Sequence, residues 1–170
     1  LVTKPGLKVQ PGRPAINPVP LKMIRTALLE AAKAAGSRAA FAVTISVPKG
    51  AELAKRTMNA RLGIMGGISI LGTSGIVEPM SLAAYTQSIS LGMDVALASG
   101  LDEVVFSTGR SSEKVVEKEL GLPDVAFVLT GDHMGYALRD AAKRAGLKKI
   151  IVAGQFGKFT KLAAGHFETH

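Results

Sequence analysis

The sequence contains no cysteine in its 170 residues. Disulfides, thiolate metal sites and cysteine nucleophiles are therefore all excluded, and the composition fits a reducing compartment. No cationic leader followed by an apolar stretch and a cleavage site is found near residue 1. We therefore expect a cytoplasmic protein.

Long apolar runs and aromatic residues are also scarce. The longest uncharged stretch, residues 62–77, is interrupted by Gly, Ser and Thr, and it falls short of the ~20 apolar residues that a membrane span needs. Trp is absent, aromatic residues make up 5% of the chain, and no basic run alternates with stacking side chains. We expect neither a membrane nor a nucleic acid as partner.

Positive charge is concentrated in the first third of the chain. The formal net charge is +8, and residues 1–61 hold eleven Lys and Arg against two Glu. The remaining residues hold ten basic and eleven acidic side chains. A basic segment of this kind indicates an anionic partner or a neighbouring acidic surface.

Apolar periodicity divides the chain into alternating elements. Residues 1–20 carry five Pro and two Gly, which favours an extended arm. Beyond it the spacing of apolar residues predicts helices over 21–35, 51–59, 81–99, 112–120, 132–145 and 156–164. Strands are predicted over 41–47, 103–107, 125–130 and 149–153, with a glycine-interrupted run of strand length over 63–71.

This alternation is typical of an α/β fold, with a largely parallel, Rossmann-like sheet flanked by helices. We expect residues 21–170 to form the α/β domain behind the arm. The chain begins at Leu1 without a Met and ends directly after an apolar helical pattern. We therefore expect the domain to be incomplete, as an internal fragment with flanking chain at both ends.

Ligands of parallel sheets bind at the loops that follow the strands. Residues 63–75 place five glycines in thirteen positions, and glycine lets the backbone approach a ligand closely. The run matches neither GxGxxG nor a P-loop, and a glycine-bent strand with a tight turn would also explain it. The residues of this loop that we predict to bind a cofactor are Gly66, Gly67, Ser69, Gly72, Thr73 and Gly75.

Three later loops carry polar side chains at predicted strand ends. In residues 107–112 we predict that Thr108 and Gly109 bind a cofactor and that Arg110 binds an anion. Alternatively, Ser111 or Ser112 could simply cap the next helix. In residues 130–135, Asp132 is a predicted helix cap beside a histidine.

The last of these loops opens a helix whose first turn carries Lys158 and Lys161. Cations at a helix start oppose the helix dipole, and a bound anion would relieve that conflict.

Several catalytic motifs are missing. The sequence has no GxSxG, no HExxH and no Cys/His cluster, so hydrolase and zinc-enzyme interpretations lose support and we expect no protein-bound metal. A nicotinamide-dependent oxidoreductase remains an alternative, although Asp94, nineteen residues after Gly75, falls inside a predicted helix. A non-catalytic module that docks through its basic arm is the other alternative.

Several long strings resemble one family, the cobalt-precorrin-5B (C-1)-methyltransferase or CbiD family. They lie at residues 3–7, 14–20, 43–48, 59–63, 66–77 (GGISILGTSGIV) and 157–170. The resemblance implies S-adenosylmethionine-dependent methylation of a cobalt-bound tetrapyrrole in anaerobic cobalamin synthesis. It also implies a chain of over 300 residues.

The resemblance and the residues predict compatible chemistry. A precorrin carries several carboxylates, which Arg110, Lys158 and Lys161 would match. Cobalt would be carried by the substrate, and S-adenosylmethionine would be the methyl donor at the glycine-rich loops. Methyl transfer from a sulfonium to a ring carbon needs alignment more than it needs a base. We therefore assign no catalytic residue.

Overall fold

The chain folds into two compact units. The structure, a computed structural model, describes residues 1–72, 76, 78 and 81–169. The amino-terminal unit comprises Leu1–Lys4 and Lys8–Pro79, and the carboxyl-terminal unit comprises Pro5–Leu7 and Met80–His170. No helix among these described residues is long and apolar enough to cross a membrane.

Two helices form in the amino-terminal unit. Helix α1 covers Pro18–Ala34 and begins three residues earlier than predicted, because proline is tolerated in the first turn of a helix. Helix α2 covers only Gly50–Ala54, against a predicted 51–59. It ends early because the Thr57 hydroxyl donates to the carbonyl of Ala54 at 2.8 Å and accepts the Asn59 backbone N–H at 3.2 Å, which turns the chain.

The strand predicted over residues 41–47 is wrong. These residues form no strand in the structure, and the apolar side chains of Phe41 and Val43 are about half exposed. Alternation predicts which side chains share a face, but a strand also needs a second backbone about 4.8 Å away. The run at 63–71 makes only two isolated bridges, from Ile64 to Val2 and from Ile70 to Ile16.

The carboxyl-terminal unit contains the predicted parallel sheet. After α3 (Leu82–Ala98), strand β1 (Glu103–Ser107) and helix α4 (Arg110–Leu120) are followed by β2 (Phe127–Leu129), α5 (Met134–Ala141), β3 (Lys149–Ala153) and α6 (Phe156–Ala163). Both neighbours of β1 run parallel to it, in the order β2-β1-β3. Strand β2 is shorter than predicted because Asp124–Ala126 forms a 3₁₀ turn.

Helices cover both faces of this sheet. Val104 and Phe106 of β1 are fully buried in one cluster with residues of α3 and α5, and Leu162 of α6 packs against that cluster. Val105 points to the opposite face, where Val116 of α4 covers it. The α/β prediction is therefore confirmed, and the helices after β1 and β3 lie on opposite faces.

Candidate active site

The carboxyl ends of the three strands lie side by side and are tied together by hydrogen bonds. The Thr108 backbone N–H donates to the Ala153 carbonyl at 3.0 Å, which joins the loop after β1 to the end of β3. The backbone N–H and hydroxyl of Thr130 donate to the Ser107 carbonyl at 2.9 and 3.0 Å. The three loops singled out after residues 107, 130 and 153 thus meet at one edge of the sheet.

A buried carboxylate organises the start of α4. Glu113 is fully buried and accepts hydrogen bonds from the Ser107 hydroxyl at 3.0 Å and from the Arg110 guanidinium at 2.6 Å. Gly109 occupies the cap position, and the Ser112 hydroxyl donates to the Gly109 carbonyl at 2.9 Å. Neither Ser111 nor Ser112 caps this helix, so the capping alternative for this loop is wrong. Arg110 already holds a carboxylate of its own helix.

Lys158 crosses the carboxyl edge of the sheet. Its ammonium donates to Asp132 Oδ1 at 2.5 Å and to the backbone carbonyl of Thr169. The buried Thr169 hydroxyl also donates to Asp132 Oδ1, at 3.1 Å. Asp132 is therefore not the helix cap that its sequence position predicts, since His133 occupies that position. Its carboxylate holds the lysine instead.

Lys161 lies in the last turn of α6 and not in the first turn as predicted, because the helix ends at Ala163. It has no ion-pair partner within the described part of the chain, although its side chain is only partly exposed. The two lysines predicted to bind the same anion thus differ, because one is paired with Asp132 and the other is not.

An aromatic pair packs beside this edge. The rings of Tyr85 and His133 meet edge to face with centroids 5.3 Å apart, and His133 Nδ1 lies 2.9 Å from Glu168 Oε2. Burial, and to a lesser degree the nearby Asp132 carboxylate, raises the pKa of the Tyr85 hydroxyl. Tyr85 therefore stays a neutral phenol at physiological pH.

An open crevice lies between α4 and the end of β3. Its volume is about 450 Å³, which is within the usual range of small-molecule sites. Residues of α4, of the loop after β3 and of α6 line it, among them Ser111, Ser112, Val115, Gly154, Gln155 and Phe159. The predicted cofactor residues Thr108 and Gly109 immediately precede α4 at this place.

The glycine segment lies in the amino-terminal unit. Gly66 and Gly67 line a cavity of about 230 Å³. The buried side chain of Asn59 donates to the Gly67 carbonyl at 3.1 Å and accepts the Ser69 hydroxyl at 3.1 Å. A second buried amide, Asn17, donates to the carbonyls of Leu71 and Gly72. Sequence reasoning missed both asparagines, although each lies in one of the strings shared with the family.

Two predicted cofactor residues, Thr73 and Gly75, lie outside the described residues. Within the described residues, no three His, Cys, Asp or Glu side chains are grouped as a metal ion would require.

Comparisons with known proteins point to one family. The CbiD family model matches residues 1–79. A cobalt-precorrin-5B C(1)-methyltransferase of Geobacter sp. (strain M21) is 53% identical over 99% of this chain and 47% of its own length. The protein of the same name from Pseudomonas aeruginosa (strain UCBPP-PA14) is 48% identical over 99% of this chain and 46% of its own length.

One solved structure is also similar. It is a cobalamin biosynthesis protein (cbiD) from Archaeoglobus fulgidus, 28% identical, with a TM-score of 0.38 over 96% of this chain and 52% of that chain. The present chain spans about half the length of the curated relatives that it matches. About half of its residues are identical to theirs from one end of the chain to the other, and the chain belongs to the CbiD family.

Proposed function

We propose that this protein takes part in the transfer of a methyl group from S-adenosylmethionine to C-1 of cobalt-precorrin-5B, a step of anaerobic cobalamin biosynthesis. The observation that carries the proposal is the 53% identity, over 99% of the chain, to a curated protein that bears the name of this activity. A cysteine-free composition fits the reducing cytoplasm as the place of the reaction.

The charge distribution supports an anionic tetrapyrrole as substrate. Residues 1–61 hold eleven basic against two acidic side chains, and a precorrin carries several carboxylates that such a segment would attract. Three cations of the carboxyl-terminal unit are the proposed contacts: Arg110, Lys158 and Lys161. Lys161 has no carboxylate partner in the described structure, whereas Arg110 and Lys158 are paired with Glu113 and Asp132.

A substrate carboxylate could be bound by Lys158 without breaking its existing contacts. An ammonium has three donors, and the two hydrogen bonds of Lys158 go to Asp132 and Thr169. The third N–H, held in a fixed direction by the other two, would serve the substrate.

Each unit contains residues that we propose as cofactor contacts. In the amino-terminal unit they are Gly66, Gly67, Ser69 and Gly72, together with Thr73 and Gly75, which the structure does not describe. In the carboxyl-terminal unit they are Thr108 and Gly109. Support comes from the polar groups and open space at both places, which suit the hydroxyls and amino-acid end of S-adenosylmethionine.

The proposed reaction depends more on how the protein positions the reactants than on a proton acceptor. An electron pair of the ring carbon forms the new bond to the methyl group as the carbon–sulfur bond breaks, and the sulfur leaves as the neutral thioether of S-adenosylhomocysteine. The reacting atoms must be aligned at roughly 3 to 3.5 Å. Lysine and arginine contacts to substrate carboxylates would supply that alignment.

The test is a hybrid enzyme in which this chain replaces the matching half of the Geobacter relative. The hybrid is incubated with cobalt-precorrin-5B and S-adenosylmethionine labelled with ¹³C in its methyl group, and the product is examined by NMR. We expect the label at C-1, as with the parent relative run beside it. A folded hybrid that leaves the substrate unmethylated, or that labels another carbon, would refute the proposal.

A further inference from the structure

The crevice between α4 and β3 has the topology of a nucleotide site. From the central strand β1 the chain turns through α4 to β2, on one side of the sheet, whereas β3 lies on the other side and continues into α6. Loops that leave neighbouring strands in opposite directions open a crevice between them, and ligands of open α/β sheets bind there. In this protein that crevice is the open space between α4 and the end of β3.

Apolar side chains form the walls of the crevice. Val115 of α4 is 59% exposed and Phe159 of α6 is 36% exposed, so both present unused apolar surface to the open space. Gly154 lies between the loop after β1 and the aromatic ring. A Cβ at this position would stand 3.0 Å from Thr108 Oγ1 and 3.5 Å from Phe159 Cζ. Glycine therefore leaves room for the Thr108 side chain at the end of the sheet, and a Cβ would be in ordinary van der Waals contact with the phenyl ring.

Polar groups lie at the rim of the same crevice. The Ser111 hydroxyl and the Gln155 amide make no side-chain hydrogen bond to any described residue. A hydroxyl and an amide can each donate and accept, so they match the hydroxyls of a ribose and the edge of a purine. An apolar slot with an aromatic wall and a polar rim suits a nucleoside better than it suits a polyanionic tetrapyrrole.

We propose that the adenosine half of the methyl donor binds in this crevice, with its adenine on the ring of Phe159. The inference rests on the proposed function, which requires S-adenosylmethionine, and adds the place and the orientation of its nucleoside. The methionine end then lies toward Thr108 and Gly109, at the carboxyl end of β1.

The experiment measures the affinity of S-adenosylhomocysteine by calorimetry for the unmodified protein and for Phe159→Ala. Because stacking of a base on an aromatic ring stabilises the bound state, we expect Phe159→Ala to lower the affinity about 5-fold to 100-fold. Phe156→Ala is the matched control, because Phe156 is 83% exposed at the start of the same helix and does not line the crevice. It should change the affinity less than about twofold.

A second ligand locates the contact on the cofactor. 5′-Methylthioadenosine keeps the adenosine and lacks the amino-acid end, so Phe159→Ala should weaken it by the same factor as S-adenosylhomocysteine. Phe159→Trp, which keeps an aromatic face, should restore most of the affinity. Phe159→Leu keeps apolar volume without a ring, and it should still bind weakly if the Ala variant proves unstable.

The outcomes separate this inference from the proposed function. If the unmodified protein binds S-adenosylhomocysteine and Phe159→Ala binds it equally well, the crevice is not the adenosine site. If Phe159→Ala loses affinity for S-adenosylhomocysteine but not for 5′-methylthioadenosine, Phe159 contacts the amino-acid end of the cofactor. That result would overturn the proposed orientation of the cofactor. If the unmodified protein binds neither ligand, while the hybrid enzyme still methylates its substrate, the crevice assignment alone fails.

Discussion

Two segments with the same kind of sequence pattern behave differently in the two units. Residues 41–47 and β1 are both rich in β-branched and aromatic residues, which alternate in the first segment and are consecutive in the second. In the carboxyl-terminal unit β1 is paired on both edges and Phe106 is fully buried. In the amino-terminal unit residues 41–47 form no strand and Phe41 remains 51% exposed. Periodicity thus predicts a face for each side chain, and a strand forms only where neighbouring backbone pairs with it.

The largest expected effect on stability comes from removing the phenyl ring of β1, with the ring at residue 41 as the comparison. Phe106→Ala should lower the free energy of unfolding by about 3 to 5 kcal/mol, because it leaves a cavity in a closed core. Phe41→Ala should change it by less than about 0.5 kcal/mol, since that ring is half exposed. Chemical denaturation followed by circular dichroism measures both. A loss of several kcal/mol in Phe41→Ala would show that residues 41–47 are packed, and the contrast between the two segments would fail.

The two lysines of α6 allow a paired and an unpaired cation to be compared within the carboxyl-terminal unit. Lys158→Ala and Lys161→Ala should each raise the KM of the hybrid enzyme for the tetrapyrrole, about tenfold to a hundredfold for Lys158. Only Lys158→Ala should also destabilise the protein, by roughly 1 to 2 kcal/mol, because it leaves the partly buried Asp132 carboxylate without its cation.

Steady-state kinetics and thermal unfolding of the same preparations check both expectations. The KM for S-adenosylmethionine serves as the control and should stay within about twofold. If the tetrapyrrole KM of both variants matched that of the unmodified hybrid, these lysines would have only a structural role.

Glycine substitutions test the proposed cofactor contacts of each unit separately. Gly67 and Gly109 are not in the left-handed region, and a Cβ on either would meet no described atom within 4 Å. Gly67→Val and Gly109→Val should therefore leave the circular dichroism spectrum unchanged. Each should lower the affinity for S-adenosylhomocysteine by about tenfold, or 1.4 kcal/mol. If only Gly109→Val weakens binding, the glycine segment of the amino-terminal unit serves structure rather than the cofactor.

Much of the carboxyl-terminal unit could be predicted from its sequence. Strands β1 and β3 form at the predicted residues, and Gly121 ends α4 in the left-handed conformation (φ +61°) that favours glycine. These elements are local, since their apolar spacing and their end signals lie within a few residues. The pairing that residues 41–47 lack depends on distant backbone, which periodicity does not contain.

The site was harder to predict than the sheet. Sequence reasoning found the loops that meet at the carboxyl edge, because the ends of parallel strands share one edge. It did not find that Asp132 holds Lys158, since the partners are 26 residues apart and a position before a helix suggests a cap. It also missed the buried Glu113, because an acidic residue in the first turn of a helix is normally explained by the helix dipole.

The central claim is that the methyl donor binds at the carboxyl edge of the sheet in the carboxyl-terminal unit. Titration of ¹⁵N-labelled protein with S-adenosylhomocysteine, followed by amide chemical shifts, tests it most directly. We predict the largest shifts in residues 108–116 and 152–159, with smaller shifts in residues 66–72. Saturable binding whose largest shifts fall instead in α1, or at the amino ends of β1 and β3, would contradict the account.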